Sequence, residues 1–338
     1  MNPFWVVIAV LFLGLAENKT LAQKADLVVA ADGSRDAKTV QDAVNRVPEN
    51  NRKRFVIFIK SGIYNEQIKI PPSKPYVSFL GEKTEETKLT SNVKSAATGS
   101  LGSRCSVYIG GDDFYAENIT FENSFGAGAQ AMAVVAQADR LVFKNCRFLS
   151  WQDTLYARAG RQYFENCYIA GSKDFICGEA AAVFENCTVY STHDGYIAAP
   201  MRFSATSPSG FVFSRCRLTG KKSGDGSFLG RPWGPYGRAV YLDTEMGAHI
   251  RSAGWNNWDH AANEKTAYFA EYNSKGPGAN RAGRVPWAHQ LGADEARQFE
   301  TANFLKGEDG WNPKTADDQW LEKNPPHYEL SARENILR

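Results

Sequence analysis

Phe143-Lys-Asn-Cys, Phe164-Glu-Asn-Cys, Phe184-Glu-Asn-Cys and Phe213-Ser-Arg-Cys decide the fold, because they repeat one pattern at near-regular intervals. Phe121-Glu-Asn-Ser extends the series upstream, and successive copies begin 22, 21, 20 and 29 residues apart. Short alternating apolar runs follow most copies, without helical periodicity. A period near 21 of this kind is typical of a parallel β-solenoid in which each repeat forms one coil.

Equivalent residues of a solenoid stack on successive coils, which predicts two columns. Four cysteines, each three residues after a repeat Phe, are expected to form one column of small buried side chains: Cys146, Cys167, Cys187 and Cys216. Neighbouring coils about 4.8 Å apart also permit disulfides, and free thiols are the favoured alternative. The second column is a predicted amide ladder at a bend of the coil: Asn123, Asn145, Asn166 and Asn186.

The two ends of the 338-residue chain differ from this repetitive middle. An apolar run over 4–16, followed by Thr20-Leu-Ala22, predicts a signal peptide at 1–22 and a secreted or periplasmic protein. Val40, Ala43, Val44 and Val47 predict a short amphipathic helix that caps the solenoid. A single catalytic domain is expected over 23–313, followed by a polar tail over 314–338.

Net charge and hydrophobic composition exclude some classes of function. Thirty-nine basic against 37 acidic residues leave a net charge of +2, which argues against a nucleic-acid binder that relies on phosphate neutralisation. No segment beyond the apolar leader is long and apolar enough to cross a bilayer. The sequence therefore favours a protein that is soluble once the leader is removed.

The same repeat period predicts that acidic and amide side chains cluster at one position on the coils. Gln152-Asp153 and Lys173-Asp174 lie nine and ten residues after Phe143 and Phe164, so the two aspartates are expected side by side on successive coils. Gln130 lies nine residues after Phe121, which predicts that Gln130 stacks with Gln152. Two carboxylates and two amides therefore converge on one patch.

Two carboxyl groups this close cannot both ionise freely, so one is expected to keep its proton near neutral pH. The amide N–H groups can donate hydrogen bonds to an oxyanion formed in acyl transfer. A solvated aspartate column beside a glutamine ladder is the non-catalytic alternative. His193-Asp194 occupies the equivalent place on the next coil, and we interpret it as structural or turn-forming.

Five ordered motifs resemble the signature blocks of the pectin methylesterases, over residues 26–313. They are Gly62-Ile-Tyr-Asn-Glu, Gln130-Ala-Met-Ala, Gln152-Asp-Thr-Leu, Asp174-Phe-Ile-Cys-Gly and Leu229-Gly-Arg-Pro-Trp. The resemblance implies an all-β, single-domain right-handed parallel β-helix. It also implies hydrolysis of the C6 methyl esters of galacturonate units in pectin, without a metal or cofactor.

Roles follow from the resemblance, position by position. Asp174 resembles the nucleophile, and Asp153 resembles the general acid that later activates water. Gln130 and Gln152 would hold the tetrahedral oxyanion, and Arg231 would pair with Asp174.

The resemblance also implies a substrate groove. Trp233 and Tyr156 would stack on sugar rings of methyl-esterified homogalacturonan, the expected partner of a monomeric enzyme. Cys177 stands where the family has a second Phe, which puts a smaller side chain at the groove.

Other classes of protein compete with this interpretation. A retaining glycosidase also uses two close carboxyl groups, but its oxocarbenium-like transition state needs no amide oxyanion donors. A calcium-dependent lyase would need an acidic cluster beyond the aspartate pair, and a serine esterase would need a Gly-x-Ser-x-Gly elbow; the sequence contains neither. A polysaccharide-binding solenoid without catalysis is the remaining alternative.

Overall fold

The fold is a stack of parallel coils, seen in a computed structural model that describes residues 25–95 and 100–316. The strands are β1 Leu27–Val29, β2 Phe55–Ile59, β3 Gly62–Asn65, β4 Ile68–Ile70, β5 Val77–Gly81, β6 Thr87–Ser91, β7 Cys105–Ile109, β8 Tyr115–Glu117, β9 Thr120–Asn123, β10 Met132–Gln137, β11 Leu141–Lys144, β12 Arg147–Leu149, β13 Leu155–Ala159, β14 Arg161–Glu165, β15 Tyr168–Gly178, β16 Ala181–Glu185, β17 Thr188–Pro200, β18 Gly210–Ser214, β19 Arg217–Gly220, β20 Phe228–Gly230, β21 Arg238–Leu242, β22 Glu245–Met246, β23 Tyr268–Tyr272 and β24 His289–Gln290. The α-helices are α1 Val40–Arg46, α2 Ala293–Arg297, α3 Thr301–Phe304 and α4 Pro313–Ala316. No helix among these residues is long and apolar enough to cross a membrane.

Parallel pairing between successive coils builds the walls. One sheet has 11 strands in the order β1-β2-β5-β8-β11-β14-β16-β18-β21-β23-β24, so each coil adds one strand to it. The second sheet consists of two rows of strands that β15 joins. The start of β15 pairs with β12, and its end pairs with β13. The strand is irregular between these two parts, where its register with β17 shifts, and Asp174 lies in this bend of β15.

Phenylalanines stacked along the interior set the register. Phe143 is aligned with Phe164, Phe164 with Phe184, and Phe184 with Phe213. Their fully buried rings lie nearly parallel, with centroids 4.7 to 4.8 Å apart. These four copies of the repeat therefore occupy equivalent positions on four coils, as the spacing predicts.

The assignment of Phe121 to this series is wrong. Phe121 lies in β9 and is aligned with Phe148, on a different wall of the coil. Ala116 is the residue that aligns with Phe143 on the preceding coil. The Phe-Glu-Asn letters recur at Phe121 because apolar and polar residues alternate on both walls, and this alternation does not identify the wall.

The structure agrees with the predicted cysteine column and changes one member of the predicted asparagine column. The four repeat cysteines are buried and unbridged, and all six cysteines of the chain are free thiols. Asn145, Asn166 and Asn186 adopt φ of 51 to 54°, the left-handed region that Asn tolerates better than most residues. Asn123 does not share this conformation, and Asn118 with φ 58° takes the equivalent place. The asparagines therefore turn the coil, and the membership of Asn123 in their column is corrected.

The N-terminal end is capped as predicted. Thr39 accepts a hydrogen bond from the backbone N–H of Asp42 at the start of α1, whose apolar side is buried. The carboxylate of Glu66 accepts from the N–H groups of Val40 and Gln41, which ties this helix to the first coil. The predicted signal peptide, 1–22, lies outside the described residues.

The C-terminal segment is bound to the solenoid at its beginning. Lys314, in α4, donates to the buried carboxylate of Glu185 at 2.5 Å, and Thr301 and Tyr163 donate to the same carboxylate. The structure therefore differs from the predicted tail at residue 314, which belongs to an anchored helix. Residues 317–338 lie outside the described ranges.

Candidate active site

Asp153 and Asp174 lie on neighbouring coils beside the bend of β15. Gln152 forms an isolated parallel bridge with Lys173, and Leu155 is aligned with Ile176, so residues 21 apart face each other. The N–H of Asp153 donates to the carbonyl of Lys173 at 3.2 Å. Both aspartates are buried, at 7% and 5% exposure. The structure therefore brings the predicted carboxyl pair together.

The two carboxyl groups have unequal surroundings. Burial, and then the negative charge of Asp174, raise the pKa of Asp153, which reaches about 7. Lys173, Arg231 and a hydrogen bond from the Gln152 side chain lower that pKa, and they offset only part of the rise. Asp153 is therefore partly protonated near pH 7, a state in which a carboxyl group can give up a proton.

Arg231 holds Asp174 in a bidentate ion pair. Its Nε donates to Oδ1 at 2.8 Å and its Nη2 donates to Oδ2 at 2.6 Å. The guanidinium carbon also lies 3.8 Å from the ring centroid of Tyr196 and 3.7 Å from that of Trp258. Two aromatic faces and two hydrogen bonds fix the arginine, and the arginine fixes the carboxylate.

The two glutamines lie on successive coils beside the aspartates. The N–H of Ala131 donates to the carbonyl of Gln152 at 3.1 Å, which places Gln130 next to the Gln152 coil. Gln152 is half-buried, whereas Gln130 is exposed. The predicted proximity is present, although the repeat copy at Phe121 from which it was counted belongs to another wall.

Two aromatic residues flank the pair. The rings of Tyr156 and Trp233 have centroids 5.8 Å apart, and Trp233 is 39% exposed. The backbone N–H of Trp233 donates to the carbonyl of Pro200 at the end of β17, and this bond holds Trp233 beside Tyr156. Exposed aromatic area beside a chemical group is the kind of surface on which a sugar ring packs.

Cys177 lies inside the wall and does not line an open groove. It is 2% exposed and aligned with Tyr156 on one side and Ala199 on the other. Burial, with the nearby charges of Asp153 and Asp174, raises the pKa of its thiol well above the ordinary value. The position that departs from the family pattern therefore contributes a neutral, enclosed side chain.

His193 and Asp194 make packing and loop contacts of the kind that a structural interpretation predicts. The ring of His193 packs on Trp151 with centroids 4.3 Å apart. The carboxylate of Asp194 accepts from the N–H groups of Ser223 and Gly226, and so orders the loop before β20.

Sequence reasoning missed two residues of this site, Tyr196 and Trp258. Tyr196 aligns with Lys173 in the next coil, whereas counting from Phe184 points to His193. The register shifts on both sides of Lys173, so the predicted equivalence of His193-Asp194 with Lys173-Asp174 is wrong. Trp258 comes from a loop outside the repeats, and only its aromatic character within Gly254-Trp-Asn-Asn-Trp could have drawn attention to it. Within 25–95 and 100–316, no group of three or more His, Cys, Asp and Glu side chains is placed to hold a metal ion.

The fold and the paired carboxyl groups define the class of protein, a parallel β-helix with a buried acidic pair on its wall. The family model described as Pectinesterase matches residues 26–308, so the chain belongs to the pectinesterase family.

Individual relatives agree with the family assignment. Pectinesterase 31 of Arabidopsis thaliana is 44% identical over 292 residues, which cover 83% of this chain and 92% of the relative. The pectin methylesterase from carrot superposes with a TM-score of 0.82 at 33% identity, over 91% of this chain and 98% of that one. A pectin methylesterase in complex with a hexasaccharide has a TM-score of 0.72 at 27% identity, over 86% and 98%. These matches confirm the predicted right-handed parallel β-helix.

Proposed function

We propose that this pectinesterase removes C6 methyl esters from galacturonate units of pectin through an acyl-enzyme on Asp174. Demethylation of pectin follows from the family. The residue roles rest on one observation: Asp174 is held by Arg231 beside the buried Asp153, whose pKa is raised to about 7. One carboxylate aimed by a guanidinium and one protonated acid beside it are the two groups that nucleophilic ester cleavage requires.

In the first half of the reaction, a carboxylate oxygen of Asp174 attacks the C6 carbonyl carbon. The carbonyl electron pair moves to its oxygen, and the amides of Gln152 and Gln130 donate hydrogen bonds to that oxyanion. When the carbonyl re-forms, the C6–methoxy bond breaks and Asp153 transfers its proton to the departing oxygen. Methanol leaves, and C6 remains bound to Asp174 as an acid anhydride.

The second half regenerates the enzyme. Asp153, now a carboxylate, takes a proton from water while the water oxygen attacks C6. The bond between C6 and Asp174 breaks, and Asp174 returns as a carboxylate to its ion pair with Arg231. The product is a C6 carboxylic acid, which releases its remaining proton to solvent and becomes the galacturonate carboxylate. Both aspartates recover their starting protonation.

Tyr156 and Trp233 support the proposed substrate path, since a sugar unit beside the aspartate pair would pack on their rings. Homogalacturonan is the polymer that we propose lies there. We further propose that the protein acts as a monomer outside the cytoplasm, where this polymer occurs.

The direct test uses purified protein and highly methyl-esterified pectin, with methanol and chain length followed together. Methanol release without shortening of the polymer is expected. Shortening would indicate glycosidic cleavage, and polymer binding without either product would indicate a binding solenoid. Addition of EDTA is expected to leave the rate unchanged, and a strong loss would contradict the proposed metal-free chemistry.

A further inference from the structure

Lys173 is an exposed cation in the middle of the site. In β15 it is the one exposed residue of an eleven-residue strand. It forms a bridge with Gln152 on the preceding coil and is aligned with Tyr196 on the following coil. Its neighbours in this row are therefore a proposed oxyanion donor and an aromatic ring that contacts Arg231.

The charge of Lys173 is not neutralised by a carboxylate, unlike that of other cations nearby. Arg231 is paired with Asp174 at 2.6 Å, and Arg158 is paired with Glu179 at 3.1 Å. In the part of the chain from 25 to 95 and 100 to 316, the Lys173 ammonium has no ion pair and no side-chain hydrogen bond. Its positive charge nevertheless reaches Asp153, whose pKa it lowers.

A lysine ammonium offers three donors and a point charge, without a preferred plane. An anion that approaches Asp153 and Asp174 meets two acidic groups, and Lys173 is the cation available to offset them. Partly processed pectin carries such anions, because each turnover converts a neutral methyl ester into a carboxylate. The fully esterified polymer carries none.

We propose that Lys173 binds a free carboxylate on a galacturonate unit adjacent to the methyl ester that is being hydrolysed. This inference rests on the proposed function of the aspartate pair. The enzyme then favours esters that border units already de-esterified, since the product of one turnover becomes a binding determinant for the next. The interaction is exposed to solvent and therefore weakens with salt.

The test compares Lys173→Met and Lys173→Arg with a matched control, Lys38→Met, which removes an exposed lysine near the N-terminal cap. Two substrates are used: fully methyl-esterified pectin, and the same pectin partly de-esterified by alkali. KM and kcat are measured from initial methanol release at low ionic strength. Dividing the KM of one substrate by that of the other removes effects of Lys173 on the chemical step.

We expect wild type and Lys38→Met to have the lower KM on the partly de-esterified substrate. Lys173→Met reduces this preference about fivefold, the size of an exposed charge pair, and Lys173→Arg retains it. High salt abolishes the preference of the wild type. An unchanged preference in Lys173→Met, or an equal loss in Lys38→Met, would overturn the inference. Absence of methanol from the wild type would instead refute the proposed function itself.

Discussion

The guanidinium of Arg231 holds both carboxylate oxygens of Asp174 although 57 residues separate the two in the chain. The pair is almost fully buried, at 11% and 7% side-chain exposure. A buried carboxylate needs such a partner, because an unpaired charge at this depth costs several kcal/mol. The arginine therefore both stabilises the Asp174 carboxylate and limits its orientation to one plane.

Replacement of Asp174 by Asn removes the proposed nucleophile and keeps its shape. Methanol release from esterified pectin should fall by at least about 10³-fold, as for other enzymes that lose their nucleophile. Circular dichroism should retain the β spectrum of the wild type, since the parallel coils do not depend on this charge. Activity close to that of the wild type in a folded Asp174→Asn protein would remove Asp174 from this role.

Arg231→Lys keeps the charge and loses the planar fork. Lysine cannot make both hydrogen bonds in one plane or stack in the same way between Tyr196 and Trp258, so Asp174 becomes less well oriented. We expect kcat to fall about 10²-fold, with a smaller change in KM. Equal kcat values for lysine and arginine would show that charge alone suffices at this position.

Gln152→Ala tests the oxyanion donor. Loss of one such donor typically costs about 10²-fold in kcat, and a similar loss is expected here. Gln137→Ala is the matched control, because Gln137 is an exposed glutamine at the end of β10. If the two variants have the same kcat, Gln152 has a structural role only.

The raised pKa of Asp153 predicts a pH-dependent stability difference. Its carboxyl binds a proton more tightly when folded, with a pKa of about 7 against an unfolded value near 3.8. The wild type therefore gains stability from this group below pH 3.8 and loses that gain as the pH rises to about 7. Asp153→Asn lacks the loss, so its Tm relative to wild type should increase from pH 4 to pH 8. A Tm difference that stays constant over this range would contradict the raised pKa.

The same group should shape the pH–rate profile. Deprotonation of Asp153 removes the proposed general acid, so kcat/KM is expected to fall as the pH rises above about 7. Lys173→Met removes a positive charge that lowers this pKa, and should therefore move the alkaline limb to higher pH. The limb reports the coupled pair and not one residue alone. A limb that moves to lower pH would contradict the electrostatic arrangement described here.

Local repetition made much of the fold predictable. Phe143, Phe164 and Phe184 recur at one coil length, and their alignment follows directly. The proximity of Asp153 and Asp174 follows from the same count, because both lie at the same offset from a correctly assigned Phe. Phe121 was misassigned because its pattern of alternation also fits the wall that contains Phe148.

Contacts between residues far apart in the chain are harder to predict from the sequence. The enclosure of Arg231 by Tyr196 and Trp258 depends on loops whose path no period describes. The binding of Lys314 to Glu185 spans 129 residues, and a Glu in this repeat position gave no sign of burial. Such pairs depend on tertiary packing, which leaves no regular mark in the sequence.

The number of residues in one coil also determines where the chain can be lengthened. Adding or deleting a residue between 153 and 174 would rotate one carboxyl group away from the other, since each shift along a strand reverses the side-chain direction. The coil between Phe184 and Phe213 is longer and carries a non-strand segment, 201–209, between β17 and β18. Inserted peptides or affinity tags are best accommodated at its exposed stretch, 203–206, where chain length can vary without changing the spacing of Asp153 and Asp174.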